Sequence, residues 1–436
     1  MELEEIKYKM LQKKTIKLNK DQKNAYELMA QGKSMFITGP GGTGKTSCIK
    51  MFYNLYKNIK TIAMTSTTGT SAILFNGTTL HSFLGIGLGK GTVKNISEKI
   101  LDKKYILKKW TKLDTLIIDE ISMLSPELFD KLEEIARIVR KNSLPFGGIQ
   151  LILSGDFCQL PCVDSNKFCF CAKSWNKCIK NTCYLTEIIR QNELDFQKCL
   201  NEVRIAELSQ QTIDMLKSRV GIQLTNSFGV IPTRLYPLNK DVDNINDKEL
   251  DNLAKVDSMF YQYDIEFKVY SSKNVDIIID KYKKHTIAPE TLQLVIGAQV
   301  MLIHNLDIDS KLVNGSRGII TGFSNNIPIV KFITGEERVI DYHTWDIEEC
   351  DVKILSITQI PLKLAWATSI HKSQGCSLDY VEIDLENIFE YGQSYCGLSR
   401  VKSLEGLSII SLDLDKIKAH PDAVEYYNNL INIKKS

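Results

Sequence analysis

Three groups of residues in this chain have the types and spacing that polyphosphate chemistry needs. The first is GPGGTGKT, from Gly39 through Pro40, Gly41, Gly42, Thr43, Gly44 and Lys45 to Thr46. Its glycines allow a tight turn whose backbone N–H groups converge, Lys45 carries a point charge to the β and γ phosphates, and the Thr46 hydroxyl is a hard oxygen ligand for Mg²⁺. The second is TLIIDE, Thr115 to Glu120. Its apolar and β-branched residues make a buried strand that ends in Asp119, placed for the metal, and Glu120, placed to orient or deprotonate water. The third is GIQLILSGDFCQLP, Gly148 to Pro161, an apolar run that ends at Gly155 and Asp156 with Gln159 beyond, where an amide can sense a γ-phosphate. Upstream, Gln22 lies on a helix start from which its amide could read adenine edges. ATP and Mg²⁺ are the expected cofactors.

The elements that must position these groups follow from pattern. SMFIT, Ser34 to Thr38, is short and β-compatible, and Lys45 to Tyr56 reads as a helix, so the glycine loop sits where a strand hands over to a helix N-terminus. Strands alternating with helices through residue 180 describe a RecA-like α/β core with ATP at the carboxyl ends of its strands. A second such pattern occupies the C-terminal third, where DVKILSITQIPLKLAWATSIHKSQG is followed by YGQSYCGLSRV with Arg400 near its end. One core suffices to bind ATP; a second is what a motor needs.

At 436 residues the chain exceeds one hydrophobic core, and two to four domains are expected. The net charge of +3 neither demands nor excludes a polyanionic partner, which would need a local basic channel. Lysine dominates; the arginines are Arg137, Arg140, Arg190, Arg204, Arg219, Arg234, Arg317, Arg338 and Arg400, each a candidate for a planar bidentate task. Eleven cysteines, an odd number, together with a charged MELEEIKYKMLQKK start, fit a reducing intracellular compartment, cytoplasm or nucleus, without a mitochondrial transit peptide. The spacings of Cys158, Cys162, Cys169, Cys171, Cys178 and Cys183 match no structural zinc pattern, and they read as small buried hydrophobes. The longest apolar stretch, Leu292 to Ile303, is too short to span a bilayer.

With these motifs in place, the sequence resembles the Pif (petite integration frequency) DNA helicases, a RecD-like, 5′-to-3′ branch of helicase superfamily 1. The resemblance runs from Asp21 to about Tyr427 through TSTTGTSA, GTTLHSFLGIGLG, LFDKLEEIARIVR, LTEIIRQ, IPTRLYP, GAQVMLIHNLD, LVNGSRG, IHKSQG and GQSYCGLSRV. It implies adenine recognition by Gln22, phosphate and Mg²⁺ contacts by Lys45 and Thr46, catalysis by Asp119 and Glu120, and γ-phosphate sensing by Gln159. Arg190 and Arg400 would be arginine fingers from the second core, a contribution of about 10³–10⁵ in rate, with Gln374 and Gly375 joining the nucleotide site. For single-stranded DNA it points to Thr65, Ser66, Thr67, Thr79, His81 and Phe83 on the first core and Ser369, His371 and Lys372 on the second; hydroxyls grip phosphates and Phe83 offers a stacking face.

The fold class this implies is α/β with two RecA-like cores. The first covers 1–183 and holds a small duplex-splitting wedge at about 84–104. The second comprises 184–235 and 353–436, and 236–352 forms a β-rich, SH3-like insertion. The implied activity is ATP-dependent unwinding of forked or structured DNA in replication, repair, recombination or telomere maintenance, by a monomer, with a dimer on DNA left open. Departures from the family pattern are Cys158, Cys162, Cys396 and Gly397. A nucleic-acid remodeler that strips or anneals, an RNA helicase of the same superfamily and a P-loop kinase are the competing readings; TLHSF, IHKSQG and GLSRV argue against the kinase.

Overall fold

The structure is a computed structural model that describes residues 18–435 apart from 69–70, 73–77, 88, 163–164, 225–230, 238, 256–259, 271–274, 284–285, 287, 308–309, 311, 313 and 350–351. The MELEEIKYKMLQKK start, and parts of TSTTGTSA, GTTLHSFLGIGLG and LVNGSRG, lie outside the described residues. The chain divides into two compact units, Met1–Phe157 with Pro161–Arg190, and Cys158–Leu160 with Gln191–Ser436.

The first unit is built on a parallel six-stranded sheet. Its elements are α1 (Lys20–Ala30), β1 (Met35–Thr38), α2 (Lys45–Tyr56), β2 (Ile62–Ser66), β3 (Thr78–Thr79), α3 (Leu80–Leu84), α4 (Val93–Asp102), α5 (Lys104–Lys112), β4 (Thr115–Asp119), α6 (Pro126–Arg140), β5 (Gln150–Ser154), α7 (Trp175–Cys178) and β6 (Asn181–Tyr184). The strand order is β3-β2-β4-β5-β1-β6. Every residue of β1, β4 and β5 is buried, as helices on both faces require and as their unbroken apolar runs foretell. Helix α2 packs Cys48, Ile49, Phe52 and Tyr56 inward, and α6 starts where Ser125 accepts the Leu128 N–H and Pro126 needs no partner for a missing N–H. Ile118, Leu153 and Phe36 pair in one row, so the residues that follow each strand emerge along the same carboxyl edge.

The second unit carries its own parallel sheet. Helices α8 (Leu194–Ile205) and α9 (Gln210–Ser218) lead into β7 (Thr233–Tyr236) and α10 (Asn239–Ala254). An antiparallel region follows: β8 (Tyr261–Asp264), β9 (Glu266–Val269), α11 (Val275–Lys283), β10 (Thr291–Leu294), β11 (Gln299–Leu302), β12 (Arg317–Ser324), β13 (Ile327–Phe332), β14 (Glu337–Val339), β15 (His343–Glu349), β16 (Val352–Gln359) and β17 (Leu362–Leu364). The chain then returns through β18 (Ala367–Ser369), β19 (Val381–Leu385), α12 (Gln393–Leu398), β20 (Leu407–Leu412) and α13 (Pro421–Lys435). The parallel sheet has order β18-β7-β19-β20, and the antiparallel strands form a five-stranded sheet, β14-β13-β12-β11-β17, a three-stranded ribbon, β15-β16-β9, and a β10-β8 pair. Separate cores serve the two parts: Leu235, Val381, Ile383 and Leu407 under the parallel sheet, and Leu294, Val300, Ile320 and Phe332 inside the antiparallel one.

The α/β class, the parallel cores and the added β-rich region match the sequence reading. One segment differs. Short strands and turns are expected from about Tyr236, yet residues 239–254 form α10, whose Asn246 amide brackets Ala367 of β18 through both its oxygen and its nitrogen. The helix therefore packs on the parallel sheet, and the antiparallel strands begin only at Tyr261.

Candidate nucleotide and nucleic-acid sites

The glycine loop follows β1 with three glycines at positive φ: Gly39 at 139°, Gly42 at 84° and Gly44 at 80°, the last capping α2. Gly39 is fixed by crowding as well, since a Cβ there would overlap the Leu185 carbonyl oxygen, and the Leu185 N–H donates to Thr38. The Lys45 ammonium donates to the carbonyls of Gly39 at 2.7 Å and Pro40 at 2.9 Å, which holds it over the loop, and Thr43 Oγ1 donates to Pro40 at 3.0 Å. Thr46 stands in the first turn of α2, half-buried.

Gln22 is buried beneath the loop. Its Oε1 accepts from Asn19 N to close a capping box, and its Nε2 donates to the Thr43 carbonyl at 3.1 Å. The geometry makes Gln22 a support of the glycine loop, with one amide hydrogen left beyond these two bonds.

At the end of β4, Asp119 is 6% exposed, and burial pushes its carboxyl above the ordinary range while Lys45 and Lys50 pull it back. Lys50, one and a half turns along α2 from Lys45, is itself lowered by burial and raised by Asp119. No motif announces Lys50; it enters the site only because α2 and β4 lie side by side. Glu120 adopts left-handed backbone at φ 53°, an arrangement costing about 1–3 kcal/mol that turns its side chain out of the strand.

The first three hydroxyls of TSTTGTSA point at this same strand and its end. Thr65 Oγ1 donates to Ile117 O at 2.6 Å, Ser66 Oγ to Asp119 O at 3.3 Å and Thr67 Oγ1 to Glu120 O at 2.8 Å. Thr65 and Ser66 are buried, so the side-chain phosphate grip expected of them has no path to solvent; they tie β2 to the carboxylate-bearing strand instead. Thr67 is half-buried at the rim. Ser66 pairs with Thr79, whose Oγ1 accepts the Ser82 N–H and so caps α3, the turn that bears His81 and Phe83, both half-buried. The Lys109 ammonium lies 5.4 Å over the Phe83 ring.

Arg190 is placed differently from expectation. Its backbone N–H and that of Ile189 both donate to Gly42 O, at 3.2 and 2.9 Å, which fixes the arginine to the glycine loop within the first unit rather than the second.

In the second unit, Gln159 is buried and its Oε1 accepts from Gln374 Nε2 at 3.4 Å. Gly392, at φ 68°, lies against this segment so closely that a Cβ would overlap the Cys158 carbonyl oxygen and stand 2.6 Å from that of Gln159. Arg400 is 1% exposed, with Nε donating to Cys396 O and Nη2 to Ser399 Oγ, both at 2.8 Å. Gln191 fastens the same turn through Ser399 O and Val401 O. A Cβ on Gly397 would stand 2.4 Å from Ile383 Cδ1, so a side chain there requires Ile383 to shift. Ser369 is buried and accepts the Lys372 N–H; His371 is half-buried, its imidazole lowered by desolvation against an opposing pull from Glu390. Lys372 and Gly375 are exposed.

The PIF1-like helicase family profile matches residues 17–220, and that of the DNA helicase Pif1 2B domain matches residues 280–323. The chain is 40% identical to the zebrafish (Danio rerio) ATP-dependent DNA helicase PIF1 over 95% of its own length, and its fold matches the crystal structure of Pif1 helicase from Candida albicans with TM-score 0.78, 34% identity, and coverage of 95% of this chain and 100% of that one. The chain belongs to the PIF1-like helicases. It is 39% identical to the uncharacterized protein 030L of Invertebrate iridescent virus 6, with 96% of this chain and 95% of that protein covered, whereas it spans only 64% of the zebrafish helicase. The PIF1-like match contains the glycine loop, Asp119, Glu120, Gln159 and Arg190, and the 2B match lies in the region of the antiparallel sheets. Among the described residues no helix is long and apolar enough to cross a membrane.

Proposed function

We propose that this chain is an ATP-dependent DNA helicase that moves 5′ to 3′ on a single strand and opens forked or structured duplexes during DNA replication, repair or recombination. The supporting observation is the joint between β2 and β4. Ser66 and Thr67 hydroxyls donate to the carbonyls of Asp119 and Glu120, so a shift of the β2 loop against DNA is passed to the backbone of both carboxylate residues. A Bacteroides Pif1, 28% identical, has been solved bound to single-stranded DNA, and another structure of Bacteroides Pif1, 27% identical, holds ADP-AlF4.

In this reading Lys45 and the loop N–H groups bind the β and γ phosphates. Glu120 takes the proton of the attacking water, and Gln159, Arg190 and Arg400 answer the charge on the transferring phosphoryl. Thr46 and Asp119 offer hard oxygen donors in a buried setting that a cation would relieve, so they are the residues to hold Mg²⁺, which supplies charge neutralisation between phosphates. Thr67, Thr79, His81, Phe83, His371 and Lys372 are assigned to the DNA strand, and Gln22, Thr65, Ser66 and Ser369 to positioning. The test is ATP hydrolysis with and without oligo-dT. Strong stimulation in the wild type, lost in Thr67→Val with basal turnover kept, supports the reading; hydrolysis indifferent to DNA refutes it.

A further inference from the structure

Residues 90–112 hold eight lysines against the carboxylates of Glu98 and Asp102, a net +6 on a chain whose total is +3. The rest of the chain is therefore acidic on balance; α4 is neutral by itself, and α5 carries four of these lysines with no carboxylate. On α5, Ile106 and Trp110 face inward, and the Trp110 indole donates to Leu84 O at 3.0 Å, which locks the helix rotation. That rotation presents Lys104, Lys108 and Lys112, four residues apart, as one exposed stripe. No carboxylate pairs with any of the three among the described residues.

Helix electrostatics does not account for the stripe. Lys104 is the first helical residue of α5, which has no acidic residue in its first turn and no side-chain cap, so its cation stands at the positive end of that helix's dipole, while Lys103 is both the N-cap of α5 and the C-cap of α4. Lys112 alone suits its position by that criterion. Beside the stripe, Lys109 reaches over the Phe83 ring, so the lysine face runs on from the residue assigned to single-stranded DNA. Three cations at intervals of about 6 Å cover about 12 Å, a length over which a DNA duplex presents roughly seven phosphates.

We infer that the Lys104–Lys108–Lys112 stripe of α5 binds the phosphate backbone of duplex DNA next to the point where the strands part. This rests on the helicase reading above. Its sign is electrostatic: each phosphate contact on duplex contributes about 0.9 to the slope of log affinity against log salt.

The test is K104Q/K108Q/K112Q, whose exposed substitutions leave the core untouched, checked for folding by its thermal melt. Fluorescence anisotropy from 50 to 200 mM NaCl would compare a blunt duplex, a fork and an oligo-dT strand. The salt slope on duplex and fork is expected to fall by about 1–3, the dT slope to hold, and DNA-stimulated ATP hydrolysis to stay at the wild-type rate while unwinding slows. Unchanged slopes on duplex and fork overturn the inference. An equal loss on dT also overturns it, by assigning the lysines to the single strand. Should the protein neither hydrolyse ATP nor unwind, a reduced duplex slope would still stand, so the two readings fail separately.

Discussion

Gly392→Ala should disable ATP turnover although Gly392 itself is assigned no contact with nucleotide, because it moves Gln159. The new methyl would overlap the Cys158 carbonyl and stand 2.6 Å from that of Gln159. Both are backbone atoms, so no rotamer change relieves the clash; reaching an ordinary contact near 3.5 Å requires the segment to retreat by about 1 Å. The Gln159–Gln374 bond, already 3.4 Å, would not survive that movement. A displacement of about 1 Å in a catalytic arrangement lowers turnover about 10²-fold, and the left-handed backbone at φ 68° adds about 1–2 kcal/mol of destabilisation for a non-glycine residue. The assay is steady-state ATP hydrolysis on oligo-dT beside equilibrium binding of a fluorescent nucleotide. The expectation is a kcat loss near 10²-fold with nucleotide affinity kept, matched by Gln159→Ala and no worse in the double variant. Wild-type turnover in Gly392→Ala, or losses that add in the double variant, would refute the argument.

Other substitutions separate the parts of the site. Lys45→Ala should abolish hydrolysis and leave single-strand binding measurable by anisotropy; loss of both would point to misfolding. Glu120→Gln should bind ATP but hydrolyse it at least about 10²-fold more slowly in a single-turnover assay. Burial raises the Asp119 pKa, so the folded state holds its proton to higher pH than the unfolded chain and the ionised form lowers stability above that range; Asp119→Asn should raise the Tm of the nucleotide-free protein at pH 7 while abolishing turnover. Burial likewise pushes Cys48, Cys178 and Cys199 up to about 12, so a thiol reagent should label exposed Cys171 in the native protein and these three only after unfolding.

Much of this architecture is legible in the sequence, for identifiable reasons. Strands β1, β4 and β5 announce themselves because burial on both faces leaves largely apolar runs, and the glycine loop because positive φ at Gly39, Gly42 and Gly44 favours glycine and the Leu185 backbone crowds Gly39. Helix α10 is hidden: NKDVDNINDKELDNLA is dense in asparagine and aspartate, which favour caps and turns, and its stability comes from packing on β18. Side-chain direction is equally hidden. The pattern TST fits a phosphate grip, but only the pairing of β2 with β4 shows that Thr65 and Ser66 turn inward. Lys50 escapes notice because its partner Asp119 is remote in sequence, and Arg190 because two backbone bonds to Gly42 decide where it belongs.

On the helicase reading proposed above, ATP hydrolysis drives this chain 5′ to 3′ along single-stranded DNA and so parts the strands ahead of it. Strand separation by the purified protein with ATP and Mg²⁺ tests it directly, on duplexes with a single-stranded tail at the 5′ end, the 3′ end or neither, in DNA and in RNA. Unwinding of the 5′-tailed DNA alone is the predicted result. Unwinding from a 3′ tail, or DNA-stimulated hydrolysis with no strand separation on any substrate, would contradict it.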